Sequence, residues 1–242
     1  MKIMEKISDR QRDSFGAKIP TIAFLGDSVT DGCFELRREK DNRIDPIYDK
    51  EHVYHKNLVK ILNTLYPTVS FNIINAGING TSCVSGNERL EKDVLAYHPD
   101  LTVVCFGLND VHKGVDGLSL YHDTLSTIFQ RLKAAGSEVI FMTPNMMNTT
   151  VSSELNHELL CRIAGSCMNF QNNGVFDAYI EAGKAAAKEQ GAVICDVYSK
   201  WKQMQKNGVN ITELLCNYIN HPTRDLHWLF AFSLVETMMS DL

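Results

Sequence analysis

The chain lacks long hydrophobic runs and has no excess of positive charge. Its 24 lysine and arginine residues are outnumbered by 29 acidic residues, which gives a net charge of −5. Because the basic residues are scattered, the sequence has no clustered positive face of the kind that binds nucleic acid or anionic membranes. No apolar segment approaches the length that spans a bilayer, and residues 1–10 mix charges where a signal peptide would have an apolar core. We therefore expect a cytoplasmic protein with no nucleic-acid partner and no membrane insertion.

Cysteine pairs and metal-binding spacings are also lacking. The seven cysteines are an odd number, include no Cys-x-x-Cys pair and lie mostly in apolar segments, so we expect reduced thiols that pack as small hydrophobic groups. His52 and His55 have the nearest approach to a metal-ligand spacing, but no third ligand is close in sequence. We expect this pair on a surface helix and no metal. The chain has neither a Walker-type phosphate loop nor Gly-x-Gly-x-x-Gly, and we expect no cofactor.

Short apolar runs alternate with longer segments that have apolar residues at three- and four-residue spacing. Several of the runs are apolar at nearly every position, which favours parallel strands covered by helices on both faces. No linker or change of composition divides the chain, so we predict a single α/β domain, residues 1–242, with a parallel sheet of five strands. The predicted strands are Ile19–Leu25, Val69–Asn75, Leu101–Phe106, Glu138–Met142 and Ala192–Val197. The predicted helices are Glu51–Leu65, Leu118–Ala135, Ser153–Asn169, Phe176–Gln190 and Leu226–Met239.

One charged segment, Asp31–Asp49, lies outside this alternation. It contains Glu35-Leu36-Arg37-Arg38-Glu39-Lys40-Asp41. A lid or a contact between subunits would suit such a segment, but charge runs are more often solvated loops. We interpret it as a solvated loop and assign it no role.

Small and polar residues follow three of the predicted strands. Gly26-Asp27-Ser28 ends the first run, Asn75-Ala76-Gly77-Ile78-Asn79-Gly80-Thr81-Ser82 ends the second and Gly107-Leu108-Asn109-Asp110 ends the third. Ligands of open parallel sheets bind beyond the carboxyl ends of the strands, where these residues would meet. Each block alone could be an ordinary turn or helix cap. Together they supply a hydroxyl, backbone amides and a side-chain amide, which is the set that acyl transfer requires.

A serine nucleophile also needs a base, and His221 is the best-placed histidine. It follows the last predicted strand and precedes Pro222, which stiffens the turn. His227 is a rival base, with Asp225 two residues before it, but it falls in the helical pattern of Leu226–Met239. Ser82 and Ser85 are lesser rivals for the nucleophile.

In these four blocks the chain resembles the SGNH/GDSL hydrolase family, over residues 19–231. The resemblance lies in Gly26-Asp27-Ser28-Val29-Thr30-Asp31-Gly32, in Asn75-Ala76-Gly77-Ile78-Asn79-Gly80, in Gly107-Leu108-Asn109-Asp110 and in His221-Pro222-Thr223, which occur in the family's order. It implies a flavodoxin-like three-layer α/β/α sandwich. By the same resemblance Ser28 is the nucleophile and His221 the general base. The N–H groups of Ser28 and Gly77 and the side-chain amide of Asn109 then form the oxyanion hole.

The chain departs from the family pattern beside the histidine. The family usually has an aspartate three residues before it, whereas this chain has Tyr218, preceded by Asn217. Either a backbone carbonyl or a carboxylate from elsewhere, such as Asp225 or Glu213, could orient the ring of His221 in its place. We expect Asp27 and Asp110 to accept backbone hydrogen bonds and to hold the loops around the site.

Three functions fit these observations. The first is a metal-independent serine esterase for small acyl esters, such as O-acetyl groups on carbohydrates, with Met146 and Met147 in the wall of its pocket. The second is a lipolytic or thioester hydrolase with a longer acyl pocket. The third, suggested by the missing aspartate, is a degenerate member that binds a ligand without turning it over.

Overall fold

The computed structural model describes residues 1–38 and 43–240. Its centre is a parallel sheet of five strands in the order β4-β1-β5-β6-β7, and strands β1 and β5 are almost entirely buried. The predicted five-stranded parallel sheet is therefore confirmed. The strands of this sheet are β1 (Thr21–Gly26), β4 (Asn72–Gly77), β5 (Leu101–Cys105), β6 (Glu138–Met142) and β7 (Val193–Cys195).

Helices cover the sheet in two layers, as the apolar character of its strands requires. In one layer α3 packs on α9, which also contacts α1, and in the other α5 packs on α7 and α4. The helices are α1 (Lys2–Arg12), α2 (Ser28–Asp31), α3 (Tyr54–Leu65), α4 (Cys83–Asp93), α5 (Leu118–Ala134), α6 (Glu158–Asn172), α7 (Val175–Glu189), α8 (Val197–Lys206) and α9 (Leu226–Met239).

The five predicted strands and five predicted helices are all present, with ends displaced by up to five residues. Helices α1, α2, α4 and α8 were not predicted. Helix α4 is mostly polar, and only Cys83, Gly86, Arg89 and Leu90 are buried in it, so its apolar periodicity is weak. Helix α1 contacts the core through two isoleucines, Ile3 and Ile7.

The charged segment Asp31–Asp49 is not a solvated loop. Its described residues form an antiparallel hairpin of β2 (Cys33–Arg38) and β3 (Ile44–Tyr48), and residues 39–42 of the segment lie outside the described residues. Cys33 and Phe34 are fully buried. Because most residues of the segment are charged, its sequence pattern did not reveal these two buried apolar residues. The hairpin is the structural element that reaches the candidate site.

Several composition-based expectations can be compared with the described residues. All seven cysteines are free, and burial raises the pKa of the Cys105 thiol well above its ordinary value. His55 is buried in α3, so the expectation that it lies on a surface is wrong. Across residues 1–38 and 43–240 no three or more His, Cys, Asp or Glu side chains are grouped so as to hold a metal ion. None of the helices in these ranges has the length and apolar character needed to cross a membrane.

Candidate active site

The three polar blocks come together at one edge of the sheet. Strand β1 lies between β4 and β5, and Gly26 at its end is paired with Gly77 and with Cys105. Since the strands are parallel and in register, the loops that follow them leave the sheet side by side. Ser28 lies in the loop that follows β1, which is the middle one of the three. The polar blocks that follow β4 and β5 lie on either side of it.

Ser28 is positioned by a short helix that packs directly on the strand ends. Helix α2 starts at Ser28, and Oδ1 of the preceding Asp27 accepts the Val29 N–H at 3.0 Å, which caps the helix. A Cβ at position 26 would lie 2.1 Å from Thr30 Oγ1, so only glycine allows this close approach. Ser28 is buried at this edge of the sheet, with only 3% of its surface exposed.

Ser28 and His221 are joined by a hydrogen bond, although 193 residues separate them. Ser28 Oγ lies 2.9 Å from His221 Nε2, and His221 Nδ1 lies 2.9 Å from the backbone oxygen of Phe34. A carbonyl oxygen can only accept, so Nδ1 carries the proton and Nε2 is left as the acceptor for the serine hydroxyl. This is the tautomer that a general base for Ser28 requires.

His221 is neutral near pH 7. Burial lowers the pKa of its imidazole to about 4, against the opposing effects of the Phe34 hydrogen bond and the nearby charge of Glu35. The side chain is 5% exposed. An unprotonated Nε2 is therefore available to accept a proton over the whole neutral range.

Asn217 and Tyr218 build the turn that carries His221. Asn217 Oδ1 accepts the backbone N–H groups of Ile219, Asn220 and His221 at 2.9 to 3.0 Å, and Tyr218 has a φ of 56°. Asn217 Oδ1 therefore shapes the loop. It does not orient the imidazole ring, because all of its bonds are to backbone N–H groups. Of the alternatives for that task, the ring partner is a backbone carbonyl, and neither Asp225 nor Glu213 is bonded to Nδ1.

The rival catalytic residues have structural roles. His227 lies in α9, and its Nδ1 accepts the Tyr54 N–H at 3.0 Å, so this histidine serves the contact between α9 and α3. Ser82 and Ser85 form a reciprocal capping box at the start of α4. Neither serine is paired with a histidine.

Gly77 does not direct its N–H towards Ser28. The following N–H, that of Ile78, donates to Gly26 O on β1 at 3.2 Å, and successive N–H groups of a strand point to opposite sides. The Gly77 N–H therefore points to the outer edge of the sheet, where it donates to Asn75 Oδ1 at 3.0 Å. A Cβ at position 77 would lie 2.2 Å from Asp31 N, so this glycine allows α2 to pack against β4.

The turn after Gly77 connects to Asn109. Gly80 has a φ of 76°, a conformation that favours glycine, and the next residue, Thr81, accepts a hydrogen bond from Asn109 Nδ2 at 2.9 Å. This bond ties the loop after β4 to the loop after β5. Since an amide nitrogen has two protons, one donor of Asn109 is left for another partner.

Asp27 and Asp110 accept backbone hydrogen bonds, as predicted. Asp27 caps α2, and Asp110 Oδ1 accepts the Cys83 N–H at 3.0 Å, which holds the start of α4 against the loop after β5. Burial raises the pKa of both carboxyl groups, and that of Asp27 to about 7, against the opposing effect of its Val29 hydrogen bond.

The loop after β6 is hydrogen-bonded to the turn that carries His221. Asn145 Nδ2 donates to Asn220 O at 2.9 Å, and Asn148 N donates to Ile219 O at 2.8 Å. Met146 and Met147 are fully buried beneath these contacts. The expectation that these two methionines lie in the wall of the substrate pocket is therefore wrong, because neither side chain reaches the surface.

Phe34 is the site residue that sequence reasoning missed. It contributes a backbone carbonyl, which every residue possesses, so its side chain carries no sign of this use. Arg224 was also missed, although its Nη1 and Nη2 donate to both carboxylate oxygens of Glu35, at 2.5 and 3.2 Å. The sequence shows a cation three residues after His221 and an acid in the charged segment, but it does not show that the two are paired.

Comparison with known proteins places this arrangement in a family. The model of the GDSL-like lipase/acylhydrolase family matches residues 24–229, a range that contains the four polar blocks. The chain belongs to this family. An acetylxylan esterase from Geobacillus stearothermophilus is 30% identical over 132 residues, which are 51% of this chain and 58% of that protein. The chain thus matches little more than half the length of this curated relative.

Solved structures share the fold of this GDSL-like chain. The crystal structure of an acetylxylan esterase from Geobacillus stearothermophilus matches with a TM-score of 0.66 and 21% identity, covering 92% of this chain and 95% of the other. An α/β hydrolase from the metagenome of Lake Arreo, Spain, matches with a TM-score of 0.66 and 19% identity, covering 90% and 94%. At these identities the likeness establishes the α/β/α fold.

Proposed function

We propose that this protein is a serine esterase that removes small acyl groups, with acetylated carbohydrates as its substrates. The observation that carries the proposal is the chain of hydrogen bonds from Ser28 Oγ to His221 Nε2 and from His221 Nδ1 to the Phe34 carbonyl. A buried serine next to an unprotonated, oriented imidazole has the arrangement of an activated nucleophile.

In the first half of the reaction Ser28 Oγ attacks the acyl carbonyl carbon and transfers its proton to His221 Nε2. The carbonyl oxygen becomes a tetrahedral oxyanion. His221 then gives the proton to the alcohol oxygen, the bond between that oxygen and the acyl carbon breaks, and the alcohol leaves. The acyl group remains on Ser28.

In the second half water replaces the alcohol. His221 takes a proton from the water as its oxygen attacks the acyl carbon, and it returns this proton to Ser28 Oγ when the acyl–serine bond breaks. The products are a carboxylic acid and the free enzyme. One histidine therefore acts twice as a base and twice as an acid.

We assign the oxyanion to three donors around Ser28. These are the Ser28 N–H at the start of α2, the Gly80 N–H in the turn after β4 and the second proton of Asn109 Nδ2. Gly80 takes the place expected for Gly77, because the Gly77 N–H is directed to Asn75 at the outer edge of the sheet. The hydrogen bond from Asn109 Nδ2 to Thr81 O joins the loops that carry the Gly80 and Asn109 donors.

The acyl and alcohol parts of the substrate rest on separate support. The 30% identity with an acetylxylan esterase favours an acetyl group on a carbohydrate. The Ser28–His221 pair would serve a longer acyl chain equally well, so a lipolytic or thioester hydrolase is the alternative. The oriented imidazole favours catalysis over a degenerate member that only binds.

The decisive experiment is hydrolysis of p-nitrophenyl acetate by the wild type and by Ser28→Ala. Loss of the nucleophile lowers kcat by about 10⁴-fold or more. Ser166→Ala, which changes a half-buried serine of α6 whose hydroxyl donates to Arg162 O of the same helix, serves as the matched control. Equal rates for wild type and Ser28→Ala would reject the proposal.

Two further measurements separate the alternatives. Release of acetate from acetylated xylo-oligosaccharides, with a rate that falls as p-nitrophenyl esters lengthen from two carbons to eight, supports the carbohydrate deacetylase. A maximum at eight carbons or more supports the lipolytic reading. A fluorophosphonate probe that fails to label Ser28 would support the degenerate member.

A further inference from the structure

The hairpin of β2 and β3 lies where a carboxylate would be expected to act on His221. In the family pattern an aspartate of the histidine loop both orients the ring and stabilises its positive charge. In this chain the ring partner is the Phe34 carbonyl on β2. A carbonyl on a surface hairpin orients a ring only if the hairpin itself is held in place.

Arg224 holds both strands of this hairpin. It binds Glu35 on β2 through two nitrogens, at 2.5 and 3.2 Å, and its Nε donates to Asp49 Oδ2, just beyond β3, at 2.7 Å. The guanidinium carbon also lies 4.4 Å from the centre of the Phe34 ring. One side chain therefore contacts Phe34, its neighbour and the opposite strand.

A short two-stranded ribbon connects Arg224 to His221. Cys216 N donates to His221 O at 2.8 Å, and Thr223 N donates to Leu214 O at 2.9 Å. The two segments 214–216 and 221–223 are thereby paired, and Arg224 follows directly. The imidazole and the guanidinium thus extend from one braced segment towards the same hairpin.

The Phe34 carbonyl accepts two donors from this ribbon. These are His221 Nδ1 at 2.9 Å and Cys216 Sγ at 3.1 Å; the Cys216 thiol also lies 3.3 Å from His221 O and 3.4 Å from Pro222 O, so its one proton is shared among three carbonyl oxygens. Burial raises the pKa of Cys216 to about 12, so its thiol keeps the proton that it donates. His221 Nδ1 is therefore the main donor to the Phe34 carbonyl, and the Cys216 thiol is a weak second donor.

The electrostatics of Arg224, Glu35 and Asp49 favour a persistent contact between Arg224 and the hairpin. The hydrogen bond with Glu35 raises the pKa of Arg224. Burial alone would raise the pKa of Asp49, but hydrogen bonds from Arg224 and His52 hold it well below its usual range. Arg224 and Asp49 are therefore both charged at neutral pH, and the planar guanidinium of Arg224 meets the Glu35 carboxylate in a bidentate pair.

We propose that Arg224 is a positioning residue for ester hydrolysis, which by binding Glu35 and Asp49 keeps the Phe34 carbonyl against His221 Nδ1. Arg224, Glu35 and the Phe34 carbonyl together take over the task of the missing aspartate, with Glu35 placing a negative charge beside the ring when His221 is protonated. The inference rests on the proposed function, because it concerns the same Ser28–His221 pair.

The kinetic test compares Arg224→Gln with wild type on p-nitrophenyl acetate. A misplaced carbonyl leaves the substrate pocket intact but impairs the base, so kcat falls about 10- to 100-fold while KM changes less than about threefold. Arg224→Lys keeps the charge without the bidentate geometry and gives an intermediate kcat. Lys200→Gln, which breaks an ion pair between α8 and α9, is the matched control with wild-type rates.

A spectroscopic measurement reports on the carbonyl itself. In protein with ¹⁵N-labelled histidine, the bonded Nδ1–H of His221 gives a downfield proton signal protected from exchange with water, assigned by its loss in His221→Gln. We expect this signal to broaden or disappear in Arg224→Gln and to persist in Lys200→Gln. A merely structural Arg224 would lower the melting temperature and leave the signal in place.

The outcomes distinguish this inference from the proposed function. An unchanged kcat in Arg224→Gln, or a reduced kcat with the Nδ1–H signal intact, overturns the role of Arg224 alone, provided that Ser28→Ala is inactive. An active Ser28→Ala instead rejects the esterase assignment. If Arg224→Gln does not fold, Glu35→Gln, which preserves the shape of the side chain, decides by the same two readouts.

Discussion

The two sides of Ser28 are built in different ways. On the proposed oxyanion side, the loops carrying Gly80 and Asn109 follow β4 and β5, the two strands that flank β1, and the register of β4, β1 and β5 brings these loops together. On the base side, His221 and Phe34 come from a ribbon and a hairpin outside that sheet, and side-chain contacts join them. The strand ends of the first side are positioned by backbone pairing within the sheet, whereas the contact between the ribbon and the hairpin on the second side depends on a few side chains.

This difference indicates which side of the site can exchange one residue for another. Changing a donor on the oxyanion side would require changes to the strand ends that also hold the core. The base side can exchange one acceptor for another, because any oxygen that reaches His221 Nδ1 selects the same tautomer. A carbonyl in place of a carboxylate is such an exchange.

The largest expected effect is on the base side. We expect His221→Ala to lower kcat by about 10⁴-fold, because Ser28 then has no group to take its proton. Steady-state hydrolysis of p-nitrophenyl acetate measures this. His122→Ala, which removes a histidine bound to Glu189 on the surface of α5, should retain the wild-type rate, and a similar loss there would point to a general effect on folding.

The next effect is on the oxyanion side. We expect Asn109→Ala to lower kcat by about 10²- to 10³-fold with little change in KM, because one donor to the transition state is lost. Asn72→Ala, at the exposed start of β4, is the control. A loss confined to KM would place Asn109 in substrate binding instead.

The pH dependence of the rate should separate the two sides. Catalysis needs neutral His221, and a pKa of about 4 predicts that kcat/KM stays constant from pH 7 to near pH 5 and falls below it. Asn109→Ala should keep this profile at a lower rate. An acid limb near pH 6.5, the ordinary histidine value, would contradict the burial of the ring.

Stability must be followed over the same pH range. The pKa values of His55 and His221 are lowered to about 4, and that of His227 to about 3, chiefly by burial. Between pH 6.5 and these values the unfolded chain binds protons that the folded chain does not, so the free energy of unfolding falls with acidification. Asp27, with its pKa raised to about 7, opposes this by binding a proton in the folded state. Thermal denaturation at each pH measures the net effect.

The smallest effect should come from Asp27→Asn. The amide oxygen can still accept the Val29 N–H, so we expect kcat within about tenfold of wild type at pH 6. Above pH 7 the variant should gain stability relative to wild type, because it has no buried charge to desolvate. A rate loss as large as that of His221→Ala would instead make Asp27 part of the proton transfer.

Much of the sheet and half of the site could be predicted from the sequence. Strands such as Leu101–Cys105 are apolar at most positions because both faces are buried, and the polar residues that follow them mark the sheet edge. The hairpin could not be predicted in this way, since buried Phe34 is followed by charged residues whose partners lie far along the chain. Gly77 was assigned a donor role because a residue's letter does not reveal the direction of its N–H.

The sequence by itself determined the parallel sheet, the nucleophile candidate Ser28 and the base candidate His221, because apolar runs and the residues that end them are local properties of the chain. Only the tertiary structure decided what orients His221. That contact joins the ring to a backbone carbonyl 187 residues away. Every residue has such a carbonyl. Whether the carbonyl of Phe34 meets His221 therefore depends wholly on where the hairpin, held by Arg224, places it.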